Sequence, residues 1–460
     1  MELKKLHELI EQSQDEMVAS LQGCIRIPSV YADDNSGYPY GKTVKEALDY
    51  MLALAERLGF KTHNMDDQVG WCEYGEGEEM VAVLGHLDVV PEGEGWSVPP
   101  YEGRVENGRI YGRGSMDDKG PVVASLYALK ALKDSGVPMK RRVRLLFGCN
   151  EETGSADMKY YMAHGGEVPV MGITPDGEYP VINGEKGLVT EFFARDYDQE
   201  GQDIKVIELN GGAAHNIVPD KAFVRLSCDD KTAEEILAMT AEDIKVTREE
   251  GGVRIDAAGV NAHGGHPEEG KNAIGRLMLF MQKLPLTGEL KKIVDLLGGK
   301  LGMEWDGSTL GVAMEDELSG KFTMNLGVVR ASDKHIEVHT NYRYPVTHTF
   351  EECGPAVKQA FYDAGFETIH FLHKNRIYMA PDCELVQKLL KVYRDYTGDM
   401  SEPMCIGGGT YAKMIPNTLA FGPIFPGDVV REHKPDEYME IYRLVDNAKI
   451  LVAAIHSLAN

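Results

Sequence analysis

Two adjacent glutamates, Glu151 and Glu152, follow directly after an apolar segment in the stretch LLFGCNEETGS. An apolar segment of this length is typical of a buried strand, and bringing an ionised carboxylate out of water is costly. The two carboxylates therefore need a cation, a proton or open solvent. Which of these three they have decides what chemistry this part of the chain can perform.

Other ionisable side chains follow the neighbouring predicted strands. His86 and Asp88 end the strand EMVAVLGHLDVV as His-x-Asp, so their side chains point the same way. Asp117 comes just before a predicted helix in GRGSMDDKG, and Asp176 ends the strand VPVMGITPDG. Because the carboxyl ends of parallel strands gather at one edge of a sheet, we expect these side chains to lie close together.

Each of these residues also has an ordinary structural explanation. A histidine at a strand end is usually structural, and an aspartate before a helix usually caps it. Asp176 precedes a glycine as in many turns, and the two glutamates could lie in a solvated loop. Jointly these explanations fail, because several carboxylates at one sheet edge would repel each other without a counter-charge. A divalent metal ion supplies that charge.

The candidate ligands are oxygen and imidazole without thiolate, which suits zinc, manganese or cobalt. One metal ion cannot use so many carboxylates. Two ions about 3.5–4 Å apart can use them, with one carboxylate bridging the pair. A second histidine could come from GDVVREHKPDEY, which contains His433 just ahead of the last predicted helix.

These residues lie in an alternating pattern of strands and helices, which favours a largely parallel α/β sheet. From about residue 186 the pattern changes to many short strands with few helices, as in an α+β unit, and the tail returns to the first pattern. A chain of 460 residues is also long for a single core. We therefore predict a catalytic domain, residues 1–185 and 376–460, interrupted by an inserted lid domain, residues 186–375.

Composition excludes several classes of partner. The net charge of −25, from 48 basic and 73 acidic residues, disfavours nucleic acid and anionic membranes as partners. No run of about 18 apolar residues occurs, and the N-terminal sequence has no pattern of a secretory signal. The seven cysteines are scattered and form no Cys-x-x-Cys pair. Together these features favour a cytoplasmic protein.

Seven motifs in order along the chain resemble those of the co-catalytic zinc peptidase family, which includes carboxypeptidase G, aminoacylase, succinyl-diaminopimelate desuccinylase and bacterial dipeptidases. The length, the GGGTYA segment and the large insert are most similar to the bacterial PepV-type dipeptidases. The resemblance covers essentially the whole chain and implies a dinuclear metallopeptidase domain, with a mostly parallel sheet, interrupted by a large α+β lid. The motifs are GHLDVVP, GRGSMDDKGP, GCNEETGS, TPDGE, AHGGHPEEGKNAI, IGGGTYA and REHKPDEY.

The resemblance implies a ligand set for two divalent metal ions, with Zn²⁺ favoured and Mn²⁺ or Co²⁺ as alternatives. Asp117 would bridge the two ions. His86 and Asp176 would complete the first site, and Glu152 and His433 the second. The peptide bond that follows Asp117 is expected to be cis, as in relatives.

Further roles are carried over in the same way. Glu151, which has no metal to bind, would act as the general base, and Asp88 would accept the N–H of His86 and fix its tautomer. His263 would stabilise the oxyanion of the tetrahedral intermediate. Asn216 and Arg343 would bind the substrate; in isolation an arginine in a strand is a routine surface residue. The substrate pocket would also be lined by Gly408, Gly409 and Thr410.

The function that follows is a metal-dependent dipeptidase, in which activated water attacks the peptide bond and Glu151 takes its proton. Because His263 and Arg343 belong to the predicted lid, we expect lid closure and a functional monomer, with a dimer as the alternative. Three rivals stay open: an N-acyl amino acid deacylase, desuccinylase or carboxypeptidase of the same family, a degenerate relative that only binds peptides or metals, and a purely structural metal site.

Overall fold

The computed structural model describes residues 2–460, and its chain divides into two compact units. The first comprises Met1–Asn183, Met379–Met404 and Thr410–Asn460, and the second Gly184–Tyr378 and Cys405–Gly409. The sequence pattern placed the insert at residues 186–375. It gave no signal for the short second segment of the insert, because the glycines there carry no hydrophobic periodicity.

A mixed sheet forms the centre of the first unit. Its four middle strands run parallel, and the strands on either side are antiparallel. The predicted α/β fold class is thus confirmed, but the sheet that was predicted to be mostly parallel is mixed, with antiparallel strands at its edges. The strands are, in spatial order, Lys61–Met65, Val69–Tyr74, Arg142–Gly148, Met80–His86, Met171–Thr174, Thr418–Ala420 and Ile182–Glu185.

In the first unit, particular residues explain where individual helices begin and end. The helix Lys119–Ser135 follows Asp118 and ends at Gly136, whose φ of 68° suits a glycine C-cap. The helical apolar spacing of residues 1–22 predicts one helix, but the structure has two, separated at Ser13, whose hydroxyl bonds to the carbonyl of Leu9. The helices are Glu2–Gln12, Gln14–Ile25, Lys42–Arg57, Lys119–Ser135, Ala156–Ala163, Glu384–Thr397 and Ile441–Leu458.

The second unit is built on an eight-stranded antiparallel sheet. The alternating pattern of residues 323–345 predicts a hairpin, and the structure has one, in which Thr323–Ala331 pairs with His335–Tyr344. Its other strands are, in spatial order, Ile244–Glu249, Gly252–Ala258, Lys221–Ser227 and Lys205–Gly211 on one side, and Gly187–Asp196 and Glu367–Lys374 on the other. The helices are Asp230–Leu237, Ala273–Met281, Gly288–Leu296 and Gly354–Asp363.

Side chains alternate between the two faces of this sheet. On one face Met324, Leu326, Val338 and Tyr342 belong to the apolar core. The residues between them, such as Asn325, point to the other, polar face. This alternation decides which residues can meet a ligand.

Several short elements complete the chain. They are the strands Arg104–Glu106, Arg109–Tyr111, Gly177–Glu178, Glu315–Asp316, Gly320–Lys321, Ile377–Tyr378, Met404–Ile406, Pro423–Ile424 and Tyr438–Glu440, and the helical turns Pro267–Glu269, Leu297–Leu301, Phe350–Glu352 and Tyr411–Lys413. Of the helices in residues 2–460, none has both the length and the apolar character needed to cross a membrane.

Candidate functional site

The five predicted metal ligands converge in the first unit. Nε2 of His86 lies 3.0 Å from Oδ1 of Asp117, and Nε2 of His433 lies 3.0 Å from Oδ2 of the same carboxylate. Oε1 of Glu152 is 3.1 Å from Nε2 of His433, and Oδ2 of Asp176 is 3.8 Å from Nε2 of His86. The two oxygens of Asp117 therefore face two different imidazoles, as a bridging carboxylate requires.

The chemistry and geometry of these residues fit divalent cations. His86, Asp117 and Glu152 each offer one ligand atom, and these atoms lie within 4.8 Å of one another. Oδ1 of Asp117 is buried and accepts no well-aligned hydrogen bond within residues 2–460, although an imidazole nitrogen is 3.0 Å away. Two atoms that lie so close without hydrogen-bond geometry can share a cation. Oxygen and imidazole donors without thiolate are typical ligands of zinc.

The electrostatics of this cluster favour positive charge. Burial, followed by the charge of Asp117, raises the pKa of Glu152 to about 7. Burial alone would lower the pKa of His433, but hydrogen bonds to Asp117 and Glu152 outweigh it and raise that pKa to about 11. Protons on the imidazoles or bound cations can supply the charge that the carboxylates need.

Asp118 ties the end of one strand to the start of a helix. Its Oδ2 accepts the backbone N–H of His86 at 3.0 Å, and the peptide bond between Asp117 and Asp118 is cis, as expected. A Cβ atom at Gly85 would lie 2.7 Å from that oxygen and would also overlap Val122. Only glycine lets the helix come this close to the strand.

The structure corrects the predicted contact of Asp88. Nδ1 of His86 bonds to the backbone carbonyl oxygen of Asp88 at 2.9 Å, whereas the nearer carboxylate oxygen is 3.5 Å away. The carboxylate instead accepts the backbone N–H groups of Glu151 and Glu152, both at 3.1 Å. These two donors draw the carboxylate away from the imidazole. Asp88 therefore holds both the histidine and the turn that carries the two glutamates.

Asp157 and Tyr411, which the sequence did not single out, support the same turn. Oδ2 of Asp157 accepts the N–H groups of Cys149 at 2.6 Å and Asn150 at 3.0 Å, and it also accepts the hydroxyl of Tyr411. A side chain at Gly148 would overlap the Tyr411 ring. The strand that leads to the glutamates is thus fixed from both sides.

Glu437 and Arg113 form a buried ion pair behind Asp117. Their side chains are 0% and 1% exposed, and Oε2 of Glu437 lies 2.6 Å from Nη1 of Arg113. Oε1 of Glu437 accepts the N–H groups of Met116 at 2.8 Å and Asp117 at 3.2 Å. The pair therefore fixes the backbone that carries the central carboxylate. Nothing in the sequence indicated this pair beyond the presence of Glu437 a few residues after His433.

His433 adopts an unusual backbone conformation for a non-glycine residue. Its φ is 60°, in the left-handed region, and its side chain is 53% exposed. Such strain persists where the surroundings enforce it and is common at functional sites.

In the second unit Arg343 is a buried cation that forms no ion pair with the described residues. Its side chain is almost fully buried, and neither Nε nor Nη1 has a hydrogen-bond partner among the described residues. Burial lowers its pKa from 12.5 to about 10, and no neighbouring carboxylate of the described chain opposes that shift. A ligand carboxylate is the natural partner for such a guanidinium.

Two loops of the second unit reach Arg343. A Cβ atom at Gly265 would overlap Nη1 of Arg343 and would lie 3.1 Å from Nδ1 of His263. The backbone of His263 bridges to Ile217, and the N–H of Gly264 bonds to the carbonyl of Asn216 at 2.7 Å. The structure therefore brings Asn216, His263 and Arg343 into one region.

The glycine-rich segment is divided between the units. Gly408 and Gly409 belong to the second unit, and Thr410 to the first. A Cβ atom at Gly407 would lie 3.5 Å from Nη1 of Arg343. Oγ1 of Thr410 accepts the N–H of Ala412 at 3.1 Å and so caps the turn that carries Tyr411.

The fold is that of known peptidases. The M20 family metallo-carboxypeptidase Sso-CP2 from Sulfolobus solfataricus matches with a TM-score of 0.59 at 16% identity, covering 96% of this chain and 99% of that one. The di-peptidase Dug1p from Saccharomyces cerevisiae matches with a TM-score of 0.59 at 14% identity, covering 99% and 98%. At these identities the likeness concerns the fold alone.

Sequence similarity defines the family. The protein named "Putative dipeptidase YtjP", from Bacillus subtilis (strain 168), is 34% identical over 465 residues, which cover 98% of this chain and 99% of that protein. The sequence profile of Peptidase family M20/M25/M40 matches residues 82–457. The chain belongs to this family and is a metallopeptidase, so the resemblance inferred from the motifs is confirmed.

Proposed function

We propose that this protein is a dipeptidase that uses two divalent metal ions held by His86, Asp117, Glu152, Asp176 and His433. The observation that carries the proposal is the Asp117 carboxylate, whose two oxygens each lie 3.0 Å from a different imidazole. Relatives that match nearly the full length and carry the name "Putative dipeptidase" support the choice of substrate.

Glu151 is the proposed general base. When bound, a pair of divalent ions supplies Lewis acidity and lowers the pKa of a water molecule towards 7. Glu151 is the carboxylate next to Glu152 that is left without a metal in the proposed ligand set. It takes the proton from the attacking water and returns it to the nitrogen of the departing amine, so that the C–N bond breaks and a carboxylic acid and an amine are released. Asp88 holds its backbone N–H group in place.

Residues of the second unit are proposed to bind the substrate. Arg343 binds the free carboxylate of the C-terminal residue, which explains why its buried Nε and Nη1 have no hydrogen-bond partner among the described residues. His263 and Asn216 stabilise the oxyanion that forms on the scissile carbonyl. The glycine-rich segment lines the pocket with its backbone, through Gly408, Gly409 and Thr410.

The same anchor suits a second candidate, an N-acyl amino acid deacylase or carboxypeptidase, because those substrates also end in a free carboxylate. A panel of dipeptides, tripeptides, N-acetyl and N-succinyl amino acids distinguishes the two. We expect dipeptides with free ends to have the highest kcat/KM. Hydrolysis of N-acyl amino acids alone would overturn the dipeptidase proposal. The panel is run before and after chelation, with metal content measured each time.

Three finer properties belong to the same proposal. Zn²⁺ is the favoured metal, with Mn²⁺ and Co²⁺ as alternatives, because all three accept oxygen and imidazole ligands. The seven cysteines, all free, support a cytoplasmic location. The large second unit supports a functional monomer. Light scattering on the active, metal-loaded protein tests the last point: a dimer at assay concentration would contradict it.

A further inference from the structure

Four polar side chains form a compact group on the polar face of the second unit's sheet. Thr323 pairs with Arg343 across two neighbouring strands, and Asn325 pairs with Asn341. Residues two apart on a strand are about 6.7 Å apart, and paired residues about 5 Å. All four are almost fully buried, with exposed fractions of 1–4%. We call this group the polar quartet.

The polar quartet contains five buried atoms that have no hydrogen-bond partner within the described chain. Buried polar groups without partners are rare in folded proteins, because each one loses its hydrogen bonds to water. Five such atoms in four adjacent residues indicate a site prepared for a ligand. The atoms are Oγ1 of Thr323, Oδ1 of Asn325, Oδ1 of Asn341, and Nε and Nη1 of Arg343.

The orientation of the two amides is fixed by their other contacts. Nδ2 of Asn325 donates to the backbone carbonyls of His215 and Ile217, both at 2.9 Å. Nδ2 of Asn341 donates to the backbone carbonyl of Val189 at 3.4 Å, an oxygen that can only accept, and to Oγ1 of Thr190 at 3.1 Å. Since the nitrogens face acceptors, the oxygens are the atoms that remain for a ligand. The quartet therefore offers a cationic donor and two neutral acceptors.

We propose that the polar quartet is the subsite for the side chain of the substrate's C-terminal residue, and that it selects a neutral hydrogen-bond donor, above all the carboxamide of asparagine or glutamine. This inference rests on the proposed binding of the substrate carboxylate by Arg343. The acceptors then lie about one short side chain away. An NH₂ group can donate to Asn325 and Asn341 at once.

Other side chains fit this subsite less well. A lysine side chain would bring a second cation beside Arg343, and an acidic side chain would face the two amide oxygens. An apolar side chain would leave the amide oxygens of Asn325 and Asn341 buried without a hydrogen-bond donor. Among neutral side chains, an apolar one therefore has a less favourable binding free energy than a carboxamide.

Equilibrium binding to the Glu151→Gln variant tests the proposal without relying on hydrolysis. The probes are Ala-Asn and Ala-Leu, which have similar shape, and the pair Ala-Gln and Ala-Met. We expect calorimetric titration to show about tenfold tighter binding of the carboxamide in each pair. Equal affinities, tighter binding of the apolar partner, or binding of none of the four would overturn the inference. If Glu151→Gln binds the carboxamides more tightly but the wild-type protein never hydrolyses these peptides, the proposed dipeptidase function is wrong while the inferred subsite stands.

Two variants test whether the preference for a carboxamide side chain arises at the polar quartet. Asn341→Leu removes one acceptor and should reduce the ratio within each pair to less than about threefold. Thr190→Val is the matched control, because it removes one acceptor of Nδ2 of Asn341 but leaves the Val189 carbonyl and the Oδ1 of Asn341 in place, so the ratio should persist. If Asn341→Leu keeps the full preference, the quartet is not the subsite. The ratios for the parent Glu151→Gln protein decide the matter even if Asn341→Leu does not fold.

Discussion

Replacing Arg343 by methionine should stabilise the folded protein while weakening its hold on the substrate carboxylate. The guanidinium is buried with two unpartnered nitrogens, and burial lowers its pKa from 12.5 to about 10. That difference corresponds to about 3 kcal/mol by which burial disfavours the charged form. Methionine has a similar length and no charge, so we expect Arg343→Met to raise the free energy of unfolding by up to about 3 kcal/mol.

The pH dependence has a definite sign. The pKa of Arg343 is lower in the folded protein than in the unfolded chain, so the free-energy cost of burying the charged guanidinium is fully present below pH 10. As the pH rises above about 10, the folded protein releases the proton first and the cost declines. The gain from Arg343→Met should therefore be constant between pH 6 and 9.

Urea unfolding midpoints at pH 7.5, with Arg343→Lys as the control that keeps a charge, measure the first effect. The Michaelis constants of a dipeptide and its C-terminal amide measure the second. We expect the wild type to prefer the free carboxylate and Arg343→Met to lose that preference. A lower midpoint together with an unchanged preference for the free carboxylate would refute the reasoning.

The remaining predictions concern the first unit. Glu151→Gln should lower kcat by about 10²–10⁴-fold with metal content unchanged, and an active variant would exclude Glu151 as the base. Chelation should abolish hydrolysis and lower the thermal midpoint, and added Zn²⁺ should restore both, because a ligand that binds only the folded state stabilises it. Glu437→Ala leaves the buried Arg113 unpaired, so we expect a loss of about 3–5 kcal/mol in unfolding free energy and weaker metal binding by titration. The partly exposed pair Arg109 and Glu440 is the control, where Glu440→Ala should cost less than about 1 kcal/mol; equal losses would contradict this reasoning.

Much of the metal site could be predicted from the sequence because its residues follow strand ends. His86 and Glu152 come directly after apolar segments, and parallel strands bring their ends to one edge. His433 is different, since it lies on a loop far along the chain: the sequence offers it as a possible second histidine, and only the family motif assigns it to a ligand set.

The supporting contacts could not be predicted, because they depend on long-range geometry. The hydroxyl of Tyr411 meets Asp157, which is 254 residues away in the chain. The carboxylate of Asp88 could accept a hydrogen bond from the imidazole of His86 or from the backbone of a neighbouring turn. Which of the two it does depends on the positions of the donors, and the sequence does not specify them. Periodicity assigns side chains to the faces of a strand but does not fix which residues pair across strands.

The polar quartet shows the same limit. Asn325 and Asn341 each look like an ordinary polar residue on the exposed side of a strand. Only the pairing register places them opposite each other and beside Arg343, and only the loop that carries His215 buries one of them. The sequence therefore predicted the anchor for the substrate carboxylate but not the acceptors next to it.

In the proposed site, Asp117 joins two metal ions. The most direct measurement is the number of zinc ions that remain per chain after dialysis, determined by mass spectrometry for the wild type and for Asp117→Asn. We expect two ions in the wild type and loss of both in the variant, because each oxygen of Asp117 faces a different imidazole. A single ion or none in the wild type, or two ions still bound by Asp117→Asn, would contradict the claim.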